Sequence, residues 1–192
     1  MSAAHPTSPS RPALRLVGGA EAAARPTPEV DPRDFDAVFR RYSPYVARVA
    51  LRLLGNDAEV DDLVQDVFLE AHRGLEQLRD PAALRGWLSR VCVRRATRRL
   101  RRRRLLSFLS FELVAERDLP LAREATPEQT LDVRRVYRCL DRMSADERVA
   151  WVLRHVEGES LEDLVVLCGC SKSTVQRRLR SAQARISEEV PA

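Results

Sequence analysis

The sequence predicts an all-α protein of two small helical domains joined by a flexible linker. Apolar residues recur at spacings of three and four residues, which is typical of amphipathic helices. No stretch of the sequence alternates apolar and polar residues as a half-buried strand does. The helical pattern weakens after Leu105, where Pro120 and Pro127 interrupt it, so a linker is expected there. A chain of 192 residues is long enough for two small domains.

Four segments are predicted along the chain. Residues 1–30 are rich in Ala, Pro and Ser and lack a hydrophobic period, so we interpret them as a disordered extension. The first helical domain is expected over residues 34–104, and the linker over residues 105–129. The second helical domain is expected over residues 130–188, where the helical period returns.

Three helices are predicted in the first domain. The first helix begins near Phe35 and ends at Gly55. Pro44 lies inside its apolar pattern, so we expect this helix to be broken or kinked. The second helix stops near Gly74, and the third helix places Trp87 on its buried side, where we interpret the indole mainly as part of the core.

Four helices are predicted in the second domain. Ser144 and Glu147 have the spacing of a capping box, in which a serine starts a helix and an acid bonds back to it. Ser160 and Asp163 repeat this spacing at the start of the third helix of the domain. A turn at Gly169 then separates two short helices, which is the pattern of a helix-turn-helix.

Charge is sorted along the first domain. Between Asp57 and Glu70 there are six acidic residues and no basic one, whereas between Arg85 and Arg104 there are ten arginines and no acid. Such segregation suggests two differently charged partner surfaces. Because ten unbalanced positive charges repel one another, we expect the arginine run to bind a polyanion, with a steep salt dependence. The alternative, above all for residues 101–104, is a flexible and solvated terminal run. The arginines that share a helix with Trp87 are the candidates for this contact: Arg85, Arg90, Arg94, Arg95 and Arg98.

The polar side of the second helix is a candidate protein-binding surface. Its apolar side is used for the core, which leaves a mainly acidic face. The residues of this face are Asp61, Asp62, Gln65, Asp66 and Leu69. The alternative is a solvated face without a partner.

The last helix has a basic face opposite its buried side. Ser173, Arg177 and Arg180 lie on this face, and arginines on the early turns of such a helix can contact guanine edges in a major groove. Lys172 and Thr174, near the helix start, are candidates to hold phosphates. The alternative is an ordinary solvated helix with a basic face.

Other classes of protein are disfavoured by the sequence. The four cysteines lack the paired spacing of zinc sites, so we interpret them as small hydrophobic residues and expect no metal or cofactor: Cys92, Cys139, Cys168 and Cys170. The three histidines lack a catalytic constellation, so no enzyme is expected: His5, His72 and His155.

No apolar run approaches the ~20 residues of a membrane span, and the N-terminus lacks a signal-like stretch. A cytoplasmic protein without membrane insertion is therefore expected.

Two stretches resemble one family. EVDDLVQDVFLEAHRGLEQL followed by LRGWLSRV resembles the core-binding and promoter-melting segments of the extracytoplasmic-function group of bacterial sigma factors. SLEDLVVLCGCSKSTVQRRLRSAQARI resembles the C-terminal helix-turn-helix of that group. The resemblance covers about residues 34–104 and 130–187, in the family's order and spacing.

The resemblance implies a factor that carries core RNA polymerase to promoters and performs no chemistry itself. Residues 61–69 would bind the clamp helices of the β′ subunit, and the β subunit would be a further contact. The linker would thread along the polymerase near the RNA exit path. The loop over residues 74–84 and the third helix would recognise and open the minus-ten element and capture an unstacked base, with Trp87 and the five arginines named above as the contacting residues. The minus-thirty-five element would be recognised as duplex by Ser173, Thr174, Gln176, Arg177 and Arg180. An anti-sigma partner is common in the family.

Three positions depart from the family pattern. Arg94 stands where asparagine is common, and Arg98 where an acid or asparagine is frequent, so no consensus promoter is carried over. Val165 replaces a usual alanine in the helix-turn-helix. The competing hypothesis is a free-standing transcriptional regulator that binds operator DNA without polymerase, which accounts for the second domain but not for the acidic helix.

Overall fold

The computed structural model describes residues 30–78, 80–109 and 126–189, and the regular structure in these ranges is helical. The α-helices, in chain order, are α1 (Phe35–Leu54), α2 (Val60–Gly74), α3 (Leu84–Leu109), α4 (Pro127–Arg142), α5 (Ala145–His155), α6 (Leu161–Cys168) and α7 (Lys172–Glu189). Two short 3₁₀ turns, Leu75–Gln77 and Pro81–Ala83, join α2 to α3. The all-α prediction is confirmed. Residues 1–29 of the expected extension and 110–125 of the expected linker lie outside the described residues.

Helix α1 is continuous through its proline. The Asp34 side chain accepts a hydrogen bond from Ala37 N–H at 2.9 Å and so caps the helix start. The helix is not broken at Pro44, because Val38 and Val46 on either side of it are fully buried and hold both halves of the helix on one core, while the kink expected there stays a prediction. At the other end, Gly55 adopts a left-handed conformation with φ 68° and ends the helix as predicted.

Helices α1, α2 and α3 pack against one another and form the first core. Helix α3 is longer than expected, because residues 105–109, which we predicted as the start of the linker, continue it. Before this extension, Arg95, Arg99 and Arg103 each form an ion pair with an acid of the preceding segment, which relieves the repulsion along α3.

Helices α4 to α7 form the second core. Both predicted capping boxes are present, at the starts of α5 and α6. Gly169 has φ 61° and makes the turn between α6 and α7, so the predicted helix-turn-helix is confirmed. Helix α4 begins at Pro127, three residues before the expected domain start.

The two cores are in contact in the folded chain. Helix α3 packs against α5 and α6, and the end of α1 packs against α5. The sequence predicted two domains on a linker and did not indicate this contact. Over the residues that the structure describes, no helix combines the length and the apolar character that a membrane crossing requires.

Candidate nucleic-acid interface

The first part of the interface is the exposed side of α7. Val175, Ala182 and Ile186 are buried and fix the orientation of the helix. The polar positions between them point to solvent, and the predicted residues among them are Lys172, Ser173, Gln176, Arg177 and Arg180. Lys172 and Ser173 lie in the first turn, where the free backbone N–H groups and the helix dipole favour a phosphate, and the other three follow along the same half of the helix.

The start of α7 is organised by a serine. The Ser171 hydroxyl accepts a hydrogen bond from Thr174 N–H at 3.3 Å and lies 3.0 Å from the Thr174 hydroxyl. Thr174 is half-buried, and its role in phosphate contact stays a prediction. Lys172 pairs with Glu162 of α6 at 2.9 Å, an exposed ion pair that a phosphate can replace.

Neighbouring arginines on α7 have different surroundings. Arg177 is exposed to solvent. Arg178 points inward: it donates to Asp146 at 3.0 Å and contacts the Cys170 sulfur at 3.3 Å. Arg178 therefore joins α7 to α5, while Arg177 remains available for a ligand.

The second part of the interface is helix α3, whose arginines divide between two faces. On the face toward α2, a ladder of ion pairs joins Arg95 to Glu70 at 2.8 Å, Arg99 to Asp66 at 2.7 Å and Arg103 to Glu59 at 2.6 Å. The pairs recur every four residues, which is the spacing of one helix face.

This ladder corrects part of the sequence interpretation. The arginine run was expected to need a polyanion, yet acids of the same chain balance its inner face. Arg95, which we grouped with the DNA-contacting residues, donates two hydrogen bonds to Glu70. Asp66, which we grouped with the protein-binding face, accepts a hydrogen bond from Arg99 and is half-buried. The sequence alone did not set the register between α2 and α3 and so did not predict these pairs.

The outer face of α3 carries the remaining predicted residues. Four arginines are exposed there: Arg85, Arg90, Arg94 and Arg98. Arg94 also contacts Glu70. The Arg85 guanidinium lies over the Tyr45 ring, 4.8 Å from its centre, which is a cation–π distance. This aromatic support from α1 was not predicted.

Trp87 is half-buried and lies against the end of α2. A Cβ atom added at Gly74 would lie 2.9 Å from the Trp87 ring, so only glycine allows this close approach. The tryptophan therefore holds the segment after α2 in place, which agrees with its interpretation as part of the core.

The predicted protein-binding face of α2 is largely accessible. Four of its residues are exposed: Asp61, Asp62, Gln65 and Leu69. Beside them lies an aromatic groove of about 440 Å³, whose lining includes Phe35, Phe39, Phe68 and Leu69. The rings of Phe39 and Phe68 are 4.8 Å apart, and Phe39 is 41% exposed. The sequence interpretation missed this groove, and the four-residue spacing of Phe35 and Phe39 was the available signal.

The four cysteines are free thiols, of which Cys92 and Cys139 are buried. Burial raises the pKa of Cys92 to about 12 and that of Cys168 to about 11, with a smaller contribution from nearby negative charge. In the described ranges, no group of His, Cys, Asp and Glu has an arrangement that could hold a metal ion.

Comparison with known proteins finds the same two-part organisation. Residues 38–105 match the family model described as sigma-70 region 2, and residues 133–186 match that described as sigma-70, region 4. The extracytoplasmic-function (ECF) RNA polymerase sigma factor SigM of Mycobacterium tuberculosis is 33% identical over 153 residues, which are 80% of this chain and 75% of SigM.

Two further relatives agree with this match. The ECF RNA polymerase sigma-E factor of Escherichia coli is 29% identical over 169 residues, which are 83% of this chain and 88% of that protein. Among solved structures, the sigma factor RpoE of Bartonella quintana, crystallised with the anti-sigma factor NepR, aligns with a TM-score of 0.63 at 25% identity. That alignment covers 81% of this chain and 96% of RpoE.

Proposed function

Because the chain belongs to the extracytoplasmic-function group of sigma-70 factors, we propose that it binds core RNA polymerase and directs initiation at specific promoters. One observation carries the proposal. A single chain presents an exposed acidic and apolar face on α2 and exposed arginine faces on α3 and α7. A polymerase-binding face and two DNA-binding faces are what a promoter specificity factor needs.

Core polymerase is proposed to bind along α2. Asp61, Asp62 and Gln65 supply polar contacts to the clamp helices of the β′ subunit, and Leu69 supplies an apolar anchor. Leu69 is 53% exposed and lines the same groove as the exposed Phe39, so the two belong to one apolar patch. The adjoining groove of Phe35 and Phe39 enlarges this apolar surface. The linker is proposed to contact the β subunit.

Promoter DNA is proposed to bind at two places. The outer face of α3 contacts the minus-ten element through Arg85, Arg90, Arg94 and Arg98. The start of α7 enters the major groove of the minus-thirty-five element, with Arg177 and Arg180 as the base-contacting residues. Arg95 and Trp87 support the minus-ten surface from within, Arg95 through Glu70 and Trp87 through its packing at Gly74.

The remaining parts of the proposal concern chemistry and location. Polymerase performs the reaction, so the chain is proposed to have no catalytic residue. It is proposed to act in the cytoplasm, where polymerase and promoters are, and to be controlled by an anti-sigma factor, as the NepR complex of the Bartonella sigma factor illustrates.

The free-standing regulator is not favoured. That hypothesis leaves the region 2 match over residues 38–105 and the exposed face of α2 without a role. Gel filtration with core polymerase separates the two hypotheses. The proposal expects the chain to elute with core, and a chain that elutes alone while it binds duplex DNA contradicts it.

A further inference from the structure

Helix α1 is rich in arginine. It contains four arginines and one acid, Asp36 in the first turn. Arg52 is buried, and the other three are exposed: Arg40, Arg41 and Arg48. Because α1 packs against α3, an exposed arginine on the side next to α3 can add to the DNA surface proposed for that helix.

Tyr45 of α1 joins this helix to α3. Its hydroxyl lies 2.8 Å from the Ser89 hydroxyl, and Ser89 donates to the Arg85 carbonyl at 2.8 Å. A serine has one hydroxyl hydrogen, so the Tyr45 hydroxyl is the donor to Ser89. Ser89 is only 6% exposed, so this chain of two hydrogen bonds is largely shielded from solvent and fixes the ring.

The fixed ring contacts two guanidinium groups. The guanidinium carbon of Arg85 is 4.8 Å from the ring centre, and that of Arg48 is 5.4 Å from it, so the two positive groups are at most about 10 Å apart. Over the residues that the structure describes, neither arginine forms an ion pair. The face of an aromatic ring attracts a cation without using its N–H donors, which stay available for an anion.

Arg48 and Arg85 also line one cavity. It has a volume of about 740 Å³, and its lining from the first domain includes Tyr45, Arg48, Arg85 and Arg90. Carboxylates of the second domain, such as that of Glu159, line it as well, so anionic oxygens already lie in the same cavity as these arginines. Arg85 and Arg90 belong to the DNA surface proposed for α3, and the cavity makes Arg48 continuous with that surface.

We propose that Arg48 binds a backbone phosphate of promoter DNA next to the minus-ten element, and that Tyr45 is a positioning residue that holds Arg48 and Arg85 at the spacing of this contact. The DNA surface of the first domain then runs across two helices, α3 and α1. The proposal rests on the function proposed above and adds to it a residue of a helix without an assigned DNA contact. A phosphate contact carries no sequence information, so Arg48 contributes to affinity and register rather than to the choice of promoter.

The first experiment measures the salt dependence of binding by the assembled holoenzyme to a forked DNA fragment that carries the minus-ten region. Each phosphate that an arginine neutralises contributes about 0.7–0.9 to the slope of the logarithm of the binding constant against that of the salt concentration. Between about 50 and about 200 mM salt, wild type should therefore lose about threefold more affinity than Arg48→Ala. Equal slopes in the two proteins overturn the proposal.

Arg40→Ala is the matched control, because Arg40 is an exposed arginine of the same helix. Arg40 lies about 140° around α1 from Tyr45, whereas Arg48 lies within about 60° of it. Loss of the Arg40 charge should leave the salt slope unchanged. A slope that falls equally in both variants reports the net charge of the chain rather than a contact, and so contradicts the proposal.

Variants of Tyr45 test its positioning role. Tyr45→Phe keeps the ring, whereas Tyr45→Leu removes it, and Arg48 stays charged in both. We expect Tyr45→Leu to lower the salt slope toward that of Arg48→Ala, and Tyr45→Phe to keep most of it. Should Tyr45→Leu fail to fold by circular dichroism, Tyr45→Met takes its place, because methionine fills irregular gaps in a core. A wild-type slope in a folded variant without the ring refutes the positioning role.

A third measurement locates the phosphate. Single methylphosphonates, which are neutral, replace the phosphates of the forked fragment one position at a time. At the position that Arg48 contacts, the replacement should weaken binding by wild type but not by Arg48→Ala. If every replacement weakens both proteins equally, Arg48 contacts no phosphate and the proposal is wrong.

The two proposals fail in different ways. A chain that never elutes with core polymerase loses its proposed function, and binding of the forked fragment by the free chain then decides whether Arg48 contacts DNA. A holoenzyme that initiates at promoters, but whose salt slope is the same with and without the Arg48 side chain, loses only the contact proposed for Arg48.

Discussion

Arg177→Ala should reduce promoter discrimination, whereas Arg178→Ala should not. The two arginines are neighbours on α7 with the same charge, but Arg177 is exposed and Arg178 is held by Asp146 at 3.0 Å. A base contact by an exposed arginine contributes about 1–3 kcal/mol of discrimination. The preference for the correct minus-thirty-five element should therefore fall about 5- to 150-fold in Arg177→Ala.

Arg178→Ala should instead lower stability. Its side chain is 20% exposed, and it loses the hydrogen bonds to Asp146 and to the Cys170 sulfur. Because the ion pair is partly solvated, the free energy of unfolding should fall by about 1 kcal/mol, or about 2–4 °C in Tm. Promoter preference should change by less than about twofold, well below the change expected for a base contact.

The assay uses the assembled holoenzyme. A promoter is first selected from a library by run-off transcription, and binding is then measured on competing fragments with the selected or a scrambled minus-thirty-five element. Thermal unfolding of the free variants gives the stability. Retained discrimination in Arg177→Ala together with lost discrimination in Arg178→Ala refutes the orientation of α7 described above.

Three further predictions concern α2, α3 and α5. Arg98→Ala should weaken DNA binding and reduce the salt slope of the binding constant by about 1 without changing stability. Arg99→Ala should mainly lower Tm, because Arg99 pairs with Asp66. Equal salt slopes in the two variants contradict the division of α3 into two faces. Leu69→Arg should abolish elution with core polymerase. Leu131 on α4 is equally exposed, at 53%, and Leu131→Arg should still elute with core. Loss of elution with core in both variants points to a general effect on folding. Burial works to raise the pKa of Glu147, but hydrogen bonds from Ser181 and Ser144 hold this pKa below its ordinary value. The ionised carboxylate therefore stabilises the fold at neutral pH, and this contribution to stability is lost as the pH falls below about 4. Glu147→Gln should therefore be less stable than wild type at pH 7, and the difference should shrink as the pH is lowered, as thermal unfolding over a series of acidic pH values would show.

The ends of the helices were predicted well, because helix capping and glycine turns depend on residues that lie close together in the sequence. The capping boxes at Ser144 and Ser160 and the left-handed turns at Gly55 and Gly169 all lie where the sequence placed them. The break expected at Pro44 does not occur, because the cost of a proline is local, while the burial that outweighs it comes from other helices.

The site was predicted less completely, because pairing between helices depends on register. Nothing in the arginine run distinguishes Arg95, which binds Glu70, from Arg98, which is exposed; only the packing of α2 on α3 does so. Arg148 and Tyr137 occupy ordinary helix positions in the sequence, yet they donate to carbonyl groups at the end of α1, which lies 85 to 95 residues away along the chain.

Run-off transcription with purified core polymerase tests the central claim most directly. The account predicts that core alone is inactive on a promoter library, and that addition of the chain produces transcripts from a defined subset with shared minus-ten and minus-thirty-five elements. Addition of Leu69→Arg should give no transcripts. A chain that adds no start site to core, while it binds duplex DNA tightly by itself, contradicts the account.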